Sequence, residues 1–362
     1  MGMAKAWQVI IGCLLVIGFV SAGFALFYGF DVSSSPDAGG ECNVLKEGKG
    51  YNVLFFSAKA DAEKYYSLLL NSEAFARHKE EFRISYIDNY KPECSYYKDI
   101  ALFCYSRDLV KRAASCSTDF IVVIKEDNIK YRSSAYMNVV SIVRGHSTNV
   151  LLHEFGHVFA DLADEYVPAV LPRTSKNCLA NCNLFREAGA GCYKGCSEDS
   201  MQRSIEKGVM RTLATSDFGI YNDNLISGYF RTEAPVTGMA SSTPDNCADE
   251  DYVLIEGYYS NGKIEIKNKE SEKGCAGTNG RGPFSYKLIL KDGSLLEGEF
   301  NPEIIFSDLP ADDGQLSGGS EKYRGEFTIK VPYVKDMNKL QIKSGEELMT
   351  EVNVDDSRPC KL

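Results

Sequence analysis

The segment Val150–Tyr166 reads VLLHEFGHVFADLADEY. Apolar side chains at Leu151, Leu152, Phe155, Val158 and Phe159 recur at helical spacing, so the segment opens as a helix buried in a core. Ser147 or Thr148 stands where a cap for its start is expected. Inside it, His153, Glu154 and His157 form H-E-x-x-H. Residues four apart share one helix face, so both imidazoles can reach one metal ion. Glu154, next to the first histidine, is placed to take a proton from water. Zinc suits this set: it lowers the pKa of water to about 7 and polarises a carbonyl. A surface helix with two hydrogen-bonded histidines would carry the same letters, so the neighbouring residues decide.

A catalytic zinc site takes three protein ligands and keeps a fourth position open. Asp161, Asp164 and Glu165 follow the motif. A continued helix would carry Asp164 more than about 10 Å along its axis, out of reach. The chain must therefore turn back near Ala160–Leu162, and Asp161 tolerates the left-handed conformation such a turn needs. Asp164 is the expected third ligand, with Glu165 as the alternative. Downstream, Gly208-Val209-Met210-Arg211 reads as a methionine turn, with Met210 flooring the metal site. Tyr166 and Tyr221 are candidates for orienting a ligand or binding an oxyanion, and a plain core role suits each as well. His146 reads as a solvated loop histidine.

H-E-F-G-H and L-A-D-E-Y, preceded by the strand DFIVVI (Asp119–Ile124) and followed by Val209-Met210-Arg211, together resemble the IgA-peptidase family of zinc metallopeptidases, a metzincin-like group. The resemblance runs from about Asn52 to Gly228. It implies a zinc endopeptidase fold, with His153 and His157 as ligands and Glu154 as general base. It implies nothing about the substrate. The cysteine-rich insert between Tyr166 and Met210 departs from the pattern and is expected to cover or shape the cleft.

The rest of the chain frames this site. Its 362 residues suggest two folded units, and 44% apolar with 25% charged residues is ordinary for a globular protein. A net charge of -10 argues against a nucleic-acid partner. Trp7–Phe30 lacks charge and spans roughly 36 Å as a helix, enough to cross a bilayer. Residues 1–31 are therefore read as a signal-anchor, with cleavage after Val20-Ser21-Ala22 as the rival. Residues 32–50 read as a linker, 51–244 as the metallopeptidase domain with the insert at 177–197, and 245–362 as a small antiparallel β-sandwich. The expected fold is thus an α/β (α+β) zincin-like domain, a β-sandwich and an N-terminal transmembrane helix.

Twelve cysteines point to disulfides and an oxidising compartment. Cys178, Cys182, Cys192 and Cys196 have a spacing that predicts a helical hairpin stapled by two disulfides, with a four-thiolate zinc site as the rival. Cys247 and Cys275 are a candidate pair in the second domain. Setting aside Cys13, eleven cysteines remain, an odd number. The sequence therefore predicts a membrane-anchored, outward-facing zinc endopeptidase acting on a protein or peptide substrate. The strand ending near Val143 is expected to pair with that peptide. The alternative is a non-catalytic, zinc-containing cell-surface adhesion protein.

Overall fold

The runs NVLFF (Asn52–Phe56) and FIVVI (Phe120–Ile124) are apolar at consecutive positions. As strands they offer hydrophobic side chains to both faces of a sheet, so both faces need cover. The computed structural model, which describes residues 42–232, 247–310 and 316–354, supplies it on both sides. Up to residue 232 the strands are β1 (Asn43–Lys46), β2 (Tyr51–Phe56), β3 (Phe82–Ile87), β4 (Ser95–Tyr97), β5 (Ala101–Phe103), β6 (Phe120–Lys125), β7 (Ser133–Tyr136), β8 (Val139–Val143), β9 (Tyr193–Cys196) and β10 (Glu198–Arg203). The helices are α1 (Lys59–Asn71), α2 (Glu73–Ala76), α3 (Arg107–Ala113), α4 (Asn149–Ala160), α5 (Asn183–Glu187) and α6 (Ile220–Thr232). Beyond residue 247 come β11 (Asp251–Ser260), β12 (Lys263–Lys273), β13 (Phe284–Leu290), β14 (Leu295–Phe300), β15 (Ile304–Pro310), β16 (Leu316–Lys322), β17 (Gly325–Pro332), β18 (Met337–Ser344) and β19 (Glu347–Asn353).

The main sheet has eight strands in the order β1-β3-β2-β6-β8-β7-β15-β16. Its centre, β3-β2-β6-β8, is parallel, and β7 returns antiparallel beside β8. Val53, Phe55, Phe120 and Val122 face a core shared with α1, α4 and α6. Leu54, Phe56, Ile121 and Val123 face the opposite core. That second core is filled by α3 and by strands of two antiparallel sheets, β12-β11-β17 and β14-β13-β18-β19. Each fully buried Leu, Ile or Phe contributes about 1.5–3 kcal/mol to holding these layers.

This corrects the expected fold class. The protein is mostly β, with 39% strand against 20% helix in several sheets. The physical reason is the double-faced apolar strands: helices cover one face, but strands from beyond residue 250 cover the other. The eight-stranded sheet also runs across the boundary expected at residues 244/245, because β15 and β16 extend it. The insert differs too. Cys178 pairs with Cys196 and Cys182 with Cys192, but around one short helix, α5, and the β9–β10 ribbon, not two helices. Gly195 and Ser197, both with positive φ, turn the chain there.

The single-pass membrane location is corrected as well. Among the described residues no helix is long and apolar enough to cross a membrane. The apolar run at residues 7–30, on which that expectation stood, lies outside the described residues. Among the described residues the structure supplies instead five disulfides, which point to an oxidising, extracellular or periplasmic setting. Cys42–Cys116, Cys94–Cys104 and Cys247–Cys275 complete the set. Cys13 and Cys360 lie outside the described residues.

Candidate metal centre

Helix α4 is buried along its whole length from Val150 to Ala160, which fixes the direction of both histidines. Each ring is oriented by a backbone carbonyl. His153 Nδ1 lies 2.9 Å from the Val209 oxygen, and His157 Nδ1 lies 2.6 Å from the Leu162 oxygen. A carbonyl can only accept, so both Nδ1 atoms donate and both Nε2 atoms turn inward, 3.1 Å apart. Val209 and Met210 form the floor. Met210 is fully buried, and a Cβ at Gly156 would stand 2.8 Å from its sulfur. The glycine of H-E-F-G-H thus lets Met210 approach the helix.

The turn back comes at Asp161, whose φ of 49° and ψ of 36° are left-handed. Its N–H donates to the His157 carbonyl, which closes the helix end. The returning loop is clamped by the insert. Asn177 holds both the N–H and the carbonyl of Ala163, at 2.8 and 2.9 Å. The Ser197 hydroxyl donates to the Asp164 carbonyl at 2.8 Å, and Cys178–Cys196 packs against Ala163. The insert therefore braces the loop from behind. Asp164 enters the cluster, with Oδ1 at 3.2 Å from His153 Nε2 and 3.3 Å from His157 Nε2. Glu165 points away. Its Oε1 accepts from Asn222 at 2.8 Å and Asn177 at 3.2 Å, and burial pushes its carboxyl up to about 7.

A fourth donor arrives from far along the chain. Asp308 on β15 sets Oδ2 at 3.0 Å from His153 Nε2, while Tyr166 donates its hydroxyl to Oδ1 at 2.6 Å. Phe306, two residues earlier on the same strand face, stacks on the His157 ring at 3.8 Å. His153, His157, Asp164 and Asp308 are all buried and offer donor atoms within 4.8 Å of one another, so they could hold a metal ion. The donor chemistry fits one: two imidazole nitrogens and two carboxylates converge, a set that positive charge holds together. Burial opposes a charge on His153, yet Asp308 and Asp164 outweigh it and hold its pKa well above the ordinary value. Burial also works against the Asp164 charge, but His157 and His153 outweigh it and hold its carboxyl below the usual range.

Glu154 is fully buried, and neither carboxylate oxygen has a hydrogen-bond partner among the described residues. Burial first, then repulsion from Asp308, pushes its pKa well above the carboxylate range. Other sequence candidates take structural places. Tyr221 packs edge-on against Phe185. His146 is buried, not solvated: Nδ1 meets the Ser133 hydroxyl at 3.0 Å and Nε2 the Ile129 carbonyl at 2.9 Å. Strand β8, expected to line the cleft, is interior, with β6 and β7 on its two sides. Asp308 was missed because it is one of 50 acidic residues with no motif around it. No model of a known protein family matches the chain, and no curated protein matches it.

Proposed function

We propose that this protein is a zinc-dependent endopeptidase that hydrolyses peptide bonds in extended polypeptides. The observation that supports it is Glu154: a carboxylate at the metal cluster, wholly buried, with no hydrogen-bond partner among the described residues. Burying such a group unpaired costs more than the ~1–3 kcal/mol of a neutral polar group. A structural metal site has no use for it. Two imidazoles and two carboxylates also favour zinc over calcium or magnesium, which prefer oxygen donors alone. His153, His157 and Asp164 would hold the metal. Zinc, when bound, supplies a Lewis acid that acidifies water and polarises the scissile carbonyl. Glu154 takes the proton of the attacking water and returns it to the leaving amine.

The second reading is a structural zinc in a non-catalytic surface module. Closure by four protein donors favours it, since structural sites are closed and catalytic ones keep an open position. Release of peptides from an unfolded protein separates the two. The assay uses the chain and its Asp308→Ala form, so that the fourth donor does not mask hydrolysis. Glu154→Gln should leave metal content unchanged and lower the rate by about 10²–10⁴-fold. No hydrolysis in either background, with metal bound, would leave the structural reading standing.

A further inference from the structure

We infer that the β15–β16 hairpin is a built-in occupant of the substrate cleft, so that the protein is latent while the hairpin stays in place. This rests on the peptidase reading. Three observations converge. First, β7 has β8 on one side and on the other only β15, paired antiparallel as Phe306↔Ala135, Ser307↔Ser134 and Asp308↔Ser133. An extended peptide adds to a free sheet edge by such pairing, and without β15 the edge of β7 would be free. Second, the residue this strand brings to the metal cluster is Asp308, a donor that fills the position a catalytic site leaves open. Third, β16 presses the donor down. A Cβ at Gly318 would lie 2.3 Å from the Ser307 carbonyl oxygen and 2.8 Å from Asp308 Oδ1, so glycine alone lets β16 lie over Asp308.

The hairpin forms the outer end of the sheet, so the only strand it unpairs from on leaving is β7, although Ile304, Ile305 and Phe306 also leave their places in the two cores. Its side-chain ties to the body are the Tyr166 hydroxyl on Asp308, the Phe306 ring on His157, Ser320 to the Val170 backbone, Arg173 to Glu303, and Lys98 to Glu321. The donors on α4 and the following loop, by contrast, are clamped by backbone carbonyls, Asn177 and a disulfide.

The test uses the full chain loaded with cobalt(II) and reads its visible spectrum during titration with acetohydroxamate, a small metal-directed probe. The wild-type spectrum should barely respond. Asp308→Ala should keep one metal ion per chain and bind the probe at least about 100-fold more tightly. Gly318→Ala, which touches no donor, should shift in the same direction by a smaller factor. Both variants should hydrolyse an unfolded protein at least about tenfold faster than wild type. If Asp308→Ala fails to fold, Asp308→Asn, which keeps the acceptor for Tyr166, carries the same test. Equal probe binding by wild type and Asp308→Ala overturns the inference, as does loss of the metal from Asp308→Ala. Equal hydrolysis by both, abolished by Glu154→Gln, overturns latency and leaves the peptidase reading intact. Probe binding gained without hydrolysis supports the occupied cleft and overturns the peptidase reading.

Discussion

The metal cluster is assembled from two regions built on different principles. His153, His157 and Asp164 come from one continuous stretch, in which a buried helix, a left-handed residue and a returning loop place all three donors. Asp308 comes from a strand held to its neighbour by three register pairs and covered by a glycine-rich partner. Short-range geometry fixes the first three donors, and the loop behind them is clamped on every side described above. Sheet pairing, the Phe306 stack on His157 and the Tyr166 hydroxyl deliver the fourth. Donors fixed by local geometry can stay when the remote one moves, and that asymmetry is what the proposed latency rests on.

The sharpest way to break the comparison is to treat the two regions alike. His157→Ala should abolish stoichiometric binding, leaving below about a tenth of a metal ion per chain after dialysis, because it leaves one imidazole and needs the remote Asp308 as its third donor. Asp308→Ala should stay loaded in the same metal analysis. Equal losses would make all four donors one structural set.

How much of this was legible follows the same division. The ligand stretch was readable because its chemistry is local: two histidines at helical spacing, an aspartate able to turn left-handed, and a carboxylate just past the turn. Met210 was readable from its apolar tetrapeptide, although the role of Gly156 in admitting it was not. No glycine or proline marks the end of α1 at Asn71, where Ser72 goes extended and its hydroxyl donates to the Leu69 carbonyl. The hairpin was opaque. β16 reads LSGGSEK, poor in β-branched and aromatic residues, so propensity gives it no strand signal. Its placement depends on β7, far away in sequence. The overall fold class was misread for a related reason: strands apolar on both faces demand a second layer, but nothing local says whether helices or strands provide it.

The brace behind Asp164 gives a second, smaller effect. Replacing Cys178 and Cys196 together by serine opens a loop of 18 residues and should lower stability by about 3 kcal/mol on chain-entropy grounds. It should also weaken metal binding, since Ala163 and Asp164 lose their backing. Denaturant melts with parallel metal titration check both. An unchanged metal affinity would move the brace out of the site.

Asp161 sharpens the account of the turn. Burial pushes its carboxyl up to about 6 from an ordinary value of 3.8. The folded state therefore holds the proton more tightly, and stability falls as pH rises from about 4 to about 6. Asp161→Asn keeps a side chain suited to the left-handed conformation and removes the titration. It should be more stable than wild type at pH 7, by at most about 3 kcal/mol, with no difference below about pH 4. Melting temperatures across that range decide it; a gap that does not close in acid would point to geometry instead. Smaller still, Gly156→Ala should cost about 1–3 kcal/mol by overpacking against Met210 and Phe218, whose nearest atoms lie 2.8 and 3.0 Å from the added carbon.

Whether one metal ion sits among the two imidazoles and the carboxylates is decided by X-ray absorption at the zinc edge of the purified protein. The spectrum should show about one zinc per chain with a shell of nitrogen and oxygen only, two of the ligands imidazole, and no sulfur, because the cysteines of the insert are paired as disulfides. A sulfur shell, or a protein that binds no zinc while its histidines are intact, would contradict the metal site.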